Sequence, residues 1–227
     1  MSLSEMFSQI YKVFVEYKLI FLKGTIGTLK YAAIAVSLGS ILGTIVAFLN
    51  LSKNKIISKI FEIYATVIRG TPILVQMYLA YYFLPMYIKL FASFSKEQCV
   101  LFSLILNSSA YVAEIVRGGI ISVDKGQVEA ARSLGMSERN CMIRIILPQA
   151  IKTIIPSLAN EYITMIKETS LAGSFQMYEL MYTRTILANK FLMWQPLFIV
   201  AIIYLIMTYV LSKIVKLIEM RLARSDR

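Results

Sequence analysis

The sequence predicts an all-α integral membrane protein with five transmembrane helices, its N-terminus outside and its C-terminus in the cytoplasm. Three observations carry that prediction. The 227-residue chain is 58% hydrophobic, with a mean hydropathy of +0.67, more apolar than an ordinary water-exposed domain. Its apolar residues gather into runs long enough to cross about 30 Å of hydrocarbon. Its 24 Lys and Arg cluster between those runs, as the bias of cationic residues toward cytoplasmic loops requires.

Taken in order, residues 1–19 place Leu3, Met6, Phe7, Ile10 and Phe14 at helical spacing. This reads as an amphipathic helix lying in the interface, with a frayed terminus as the alternative. Residues 20–221 form one membrane domain. Its first span covers about 24–51: no charge interrupts Tyr31 to Ser52, and Gly39 and Gly43 make a GxxxG pair that permits close helix packing. A short basic loop with Lys53, Lys55 and Lys59 leads to the second span, about 60–84. There Arg69-Gly70-Thr71-Pro72 should kink or break the helix, because Pro72 lacks an amide hydrogen. A broken helix at membrane depth usually lines a cavity, which makes Thr71 a candidate for a substrate path; a structural kink with Arg69 near the interface is the competing reading. Glu62, two turns before Arg69, is a candidate ion-pair partner for it.

The third span, about 97–118, carries Asn107, Tyr111 and Glu114 at helical spacing, so they share a face. Polar groups inside a span are costly and normally face the bundle interior. The fourth span, about 151–172, is the most polar, with Asn160, Glu161, Thr164, Lys167 and Glu168, and Pro156 should bend its start. Glu161 and Thr164 share a face and join the candidate substrate path. Structural pairing of Glu161 with Lys167 or Arg69 is the competing reading. The fifth span covers about 191–211, and the chain ends in basic residues, with 222–227 as a basic tail.

Orientation follows from the charges. With five spans and a cytoplasmic C-terminus, 14 of the Lys and Arg fall inside, 7 fall outside and 3 lie within spans. That bias places the segment 119–150 in the cytoplasm. The net charge of +11 is therefore a topology signal and not the footprint of a nucleic-acid-binding face. There is no His, and Cys99 and Cys141 are far apart, so no metal site or disulfide framework is expected. No cleavable signal peptide is evident.

The segment 119–150 is the longest charged interruption between apolar runs. Asp124 with Gln127 makes a capping box that opens a helix at about Lys125. Gly135 falls where a left-handed residue would end that helix. Ser137 can cap a second helix, with Pro148 near its far end. An amphipathic loop that only links two spans is the bland alternative.

Glu129-Ala130-Ala131, Gly135 six residues after the Glu, then Ile145, Leu147 and Pro148 resemble the EAA motif of ABC-importer permease subunits. The stretches RGTPILVQMYLAYY and NSSAYVAEIVRGGI resemble the polar amino-acid permeases of that family, and the resemblance runs over nearly the whole chain. It implies the type I importer fold in a bacterial cytoplasmic membrane. It implies that Glu129, Ala130, Ala131, Gly135, Leu147 and Pro148 belong to a coupling element that docks on a cytoplasmic ATPase dimer. It also implies a second permease chain, the same or related, and an extracytoplasmic amino-acid-binding protein. ATP and Mg would sit on the ATPase, and this chain itself would bind no cofactor.

No GxxxxGK[ST] run follows a strand, and no nucleophile–base arrangement stands out, so the chain is not read as an enzyme. Two other classes remain open at this point. An ion-coupled secondary transporter or channel would use Glu114 and Glu161 as intramembrane ligands, although no internal repeat is visible. A membrane scaffold would use 119–150 only to recruit a partner.

Overall fold

The structure is a computed structural model that describes residues 2–191 and 194–224. Met1, the positions 192 and 193 within the expected fifth span, and positions 225–227 of the basic tail lie outside the described residues. Among the described residues there is no strand. The helices in chain order are α1 (Leu3–Asn50), α2 (Lys55–Gly70), α3 (Ile73–Tyr78), α4 (Leu84–Tyr87), α5 (Lys96–Ile121), α6 (Lys125–Ser133), α7 (Glu138–Cys141), α8 (Leu147–Glu168), α9 (Leu180–Phe191) and α10 (Gln195–Arg224). Two π-helical turns, Leu79–Phe83 and Met142–Ile146, join α3 to α4 and α7 to α8, and a 3-10 helix, Thr169–Phe175, follows α8.

Among the described residues, four helical stretches are long and apolar enough to cross a membrane: Leu3–Asn50, Lys96–Ile121, Glu138–Ala188 and Gln195–Leu222. The region expected to be the second span is not one such helix. It breaks between α2 and α3 at Thr71 and Pro72, both extended (Thr71 φ −117°, ψ 145°), leaving Ile73–Tyr87 as a shorter apolar piece. Thr71 sits before a proline, which disfavours the helical region, and Pro72 cannot donate to Ile68. Beyond the expected end of the fifth span at 211, α10 continues and carries Lys213, Lys216 and Arg221.

The chain divides into two compact units. The first comprises Met1–Ala35, Pro72–Ile105 and Tyr162–Ser212. Its core joins Ile10, Val13 and Phe21 of α1 to Leu180 and Leu187 of α9 and to Ile199 and Val200 of α10. The stretch expected as a helix resting on the interface forms the start of α1. A kink at Tyr17 (φ −107°, ψ 18°) divides α1, and the segment before it packs its Ile10–Val13 side into protein. Leu3, Phe7 and Phe14, taken as part of the apolar stripe, are exposed. Polar bonds fix the same unit. Thr28 Oγ1 accepts from the Leu180 N–H at 3.0 Å, Tyr162 donates to the Leu29 carbonyl at 3.3 Å, and the Tyr31 hydroxyl donates to Glu97.

The second unit comprises Val36–Thr71, Leu106–Glu161 and Lys213–Arg227. Its core is built from small and branched residues: Val46 and Ala47 of α1, Val112, Ala113, Val116 and Ile120 of α5, and Ala150 and Ile154 of α8. Lipid is as apolar as these side chains, so close packing has to hold the helices together. Gly39 and Gly43 supply it. A Cβ on Gly39 would collide with Ser108, and one on Gly43 with the Ser109 carbonyl and Val112. The Tyr64 hydroxyl on α2 bonds Ser109 Oγ on α5 at 2.6 Å.

Candidate functional site

The segment after α5 is assembled from local capping chemistry. Asp124 is the N-cap of α6, accepting from the Gln127 N–H at 3.2 Å, an arrangement that contributes about 1 kcal/mol. Gly135 has φ +82°. Its N–H bonds the Arg132 carbonyl at 3.0 Å, and the Met136 N–H reaches back to the Ala131 carbonyl at 3.1 Å. These two bonds are the Schellman closure, which satisfies carbonyls left open at a helix end. Arg132 Nη1 donates to the Met136 carbonyl at 2.8 Å and holds the turn from outside. Ser137 caps α7 by accepting from the Asn140 N–H at 3.3 Å.

The second short helix does not end near Pro148. It passes from α7 through the π turn Met142–Ile146 into α8 without a break. The Leu147 N–H bonds the Met142 carbonyl, five residues back, and this wider turn makes room for a proline ring that would crowd a regular α-helix. Ala131 is buried, whereas Glu129, Ala130, Gly135 and Pro148 are exposed and Leu147 is half-buried. Leu134, which sequence reasoning passed over, is 89% exposed at the tip of the elbow. Lys53 in the loop between α1 and α2 pairs with Glu138 at 2.6 Å.

A second polar cluster surrounds the break in the expected second span. Arg69 Nη1 lies 3.1 Å from Glu114 Oε2, and its guanidinium carbon stands 5.7 Å from the centre of the Tyr111 ring. Arg117 also pairs with Glu114 through a short bond, its Nε donating at 3.2 Å. The expected Glu62–Arg69 pair is therefore replaced: Glu62 takes Lys59 at 3.1 Å. Asn50, Glu62, Thr66, Arg69, Glu114 and Arg117 line a cavity of about 270 Å³.

Of the candidate substrate-path residues, Tyr111 and Glu114 are brought together through Arg69. Thr71 donates its hydroxyl hydrogen to the Val67 carbonyl at 2.9 Å. Asn107 and Glu161 are buried at 6% and 7% exposure. Thr164 is exposed and belongs to the first unit, whereas the other five belong to the second.

One buried group escaped the sequence. Glu179 is fully buried and accepts from the Met181 and Tyr182 N–H groups at 2.7 and 2.6 Å and from the Tyr204 hydroxyl at 3.0 Å. Its carboxylate caps α9 and lies where a Cβ on Gly173 would be. The only signal was an acidic residue directly before a helix start.

Helices with apolar outer faces, a charged break and a two-helix elbow closed by a left-handed glycine define a multi-span membrane transport component. The chain belongs to the family described as binding-protein-dependent transport system inner membrane component, whose model matches residues 39–224. It is 38% identical over 207 residues to the putative glutamine transport system permease protein GlnP of Rickettsia bellii (strain RML369-C), covering 90% of this chain and 94% of the relative. It is 34% identical over 210 residues to the arginine transport system permease protein ArtQ of Bacillus subtilis (strain 168), covering 90% and 93%. Among solved structures, it superposes on a crystal structure of an amino acid ABC transporter with histidines at a TM-score of 0.86 and 40% identity, covering 92% of this chain and 97% of that one. An inward-facing MetNI methionine ABC transporter shares the fold at a TM-score of 0.77 and 14% identity, covering 91% and 98%.

Proposed function

We propose that this chain is the membrane-spanning permease subunit of an ATP-driven importer that carries a polar amino acid across a bacterial cytoplasmic membrane. The observation that carries the proposal is the elbow from Asp124 to Leu147, where the EAA pattern coincides with two capped helices and a left-handed Gly135. Relatives named for glutamine and arginine transport support the substrate class. The chain crosses the membrane five times on this reading, counting the broken α2–α4 segment, with the N-terminus outside and the C-terminus inside.

A cytoplasmic ATPase dimer binds ATP and Mg and docks on the elbow through Glu129, Ala130 and Gly135, with Leu134 added as an exposed apolar knob. A second permease chain and an extracytoplasmic amino-acid-binding protein complete the assembly. Glu161 accepts the substrate ammonium, and Thr71 and Asn107 donate to its carboxylate, with Tyr111, Glu114 and Thr164 along the path. The test is co-purification of the encoded ATPase with the membrane-extracted chain, combined with topology reporters. A reporter after Arg227 should read cytoplasm and one at the N-terminus outside. Both ends on one side, or no ATPase retained, would overturn the assignment.

A further inference from the structure

The junction between α7 and α8 is mechanically weak. The π turn Met142–Ile146 replaces regular bonds, and Pro148, two residues past it, has no N–H to give. Helices bend at such places. A displacement imposed on the elbow would be absorbed there unless something bridges the weak point.

Gln149 does so. Its side-chain amide donates one hydrogen bond to Gln127 Oε1 on α6 at 2.6 Å and another to the Ile145 carbonyl, inside the π turn, at 3.0 Å. One amide group thus ties α6, the π turn and the first turn of α8 together. Beside it lies a cavity of about 340 Å³ lined by Ser122, Val123, Asp124, Gln149, Lys152 and Thr153, so the amide bridges a region that side chains do not fill. Gln127 occupies the third position of α6, where Asp124 uses only its backbone N–H. Its side chain is therefore spared from capping.

We infer that Gln149 is a positioning residue for coupling: through Gln127 it carries the movement of α6 past the π turn into α8, the helix that bears Glu161. This rests on the importer reading above. It requires a geometry in which neither glutamine touches substrate or nucleotide, and each acts only through the other.

The test uses the complete complex in proteoliposomes with Gln127→Ala, Gln149→Ala, the double variant, and the pair Gln127→Glu with Gln149→Lys. Glu at 127 leaves the backbone N–H free to bond Asp124 and can meet Lys across the same gap. ATP hydrolysis is measured with and without amino-acid-loaded binding protein. In Gln127→Ala, stimulation should fall roughly two- to tenfold, the scale of one lost neutral hydrogen bond, and in Gln149→Ala, which also loses the bond to Ile145, at least as far, while basal hydrolysis and subunit retention hold. The double variant should be no worse than Gln149→Ala alone, and the charged pair should restore stimulation. Wild-type stimulation in the singles, additive losses in the double, losses that track loss of the complex, or no restoration by the pair would each overturn the inference. A wild-type complex that shows no stimulated hydrolysis would instead overturn the importer reading on which it rests.

Discussion

Arg69 and Glu114 form an ion pair, Nη1 to Oε2 at 3.1 Å, between the last turn of α2 and the C-terminal half of α5. The pair joins a residue at a helix break to one that sequence reasoning set on a substrate path. Arg117 shares the same carboxylate, so Glu114 neutralises two cations beside a cavity. Its first role is therefore to hold the broken segment against α5.

Glu114→Gln should weaken that attachment. Both side chains of the pair are about a third exposed (38% and 35%), so screening limits the loss to about 1 kcal/mol. A thermal melt in detergent should show a lower Tm than wild type. An unchanged or raised Tm would show that the pair contributes nothing to holding α2 in place.

Gly135→Val should strain the elbow. Its φ of +82° costs a β-branched residue about 1–2 kcal/mol, which misaims α7. Retention of the ATPase should fall while membrane insertion persists. Gly135→Asn should lose less, because Asn tolerates the left-handed region. Equal retention by all three proteins would remove this turn from the docking surface.

Gly43→Val should separate α1 from α5, since a Cβ there meets the Ser109 carbonyl and Val112. Overpacking of this kind costs about 1–3 kcal/mol. Gly118→Ala is the matched control: nothing lies within 4 Å of a Cβ at that helical position. It should be neutral or stabilising by up to about 1 kcal/mol. Detergent melts of the two variants should therefore shift in opposite directions or differ clearly in size.

Glu179→Ala should leave the Met181 and Tyr182 N–H groups and the Tyr204 hydroxyl without their buried acceptor. Bonds to a charged group contribute about 1.5–3 kcal/mol, so this should be the most destabilising of these variants in the same melt. A Tm equal to wild type would mean that the α9 cap is not what orders this turn.

The parts that sequence read correctly are local. Asp124, Gly135, Ser137 and Pro72 act on atoms within five residues of themselves, so their chemistry is visible in a short window. The misreadings involve distance along the chain. Glu62 sits two turns from Arg69, yet Glu114 wins the guanidinium because α5 packs beside α2. Pro148 appeared to be a helix end because a window cannot see that a π turn accommodates it. The packing of Ile10 could not be read either, because its partners in α9 and α10 lie far along the chain. Glu179 looked like an ordinary connector acid, since only the fold buries it.

ATP-driven import of a polar amino acid is tested by transport itself. The direct measurement is uptake of radiolabelled glutamine and arginine into proteoliposomes that hold this chain, its ATPase and its binding protein. Uptake should require ATP and the binding protein, persist when ion gradients are dissipated, and be blocked by unlabelled amino acid. In the same assay, Glu161→Gln should cut uptake of the cationic substrate far more than basal hydrolysis. Uptake driven by an ion gradient without ATP would contradict the claim.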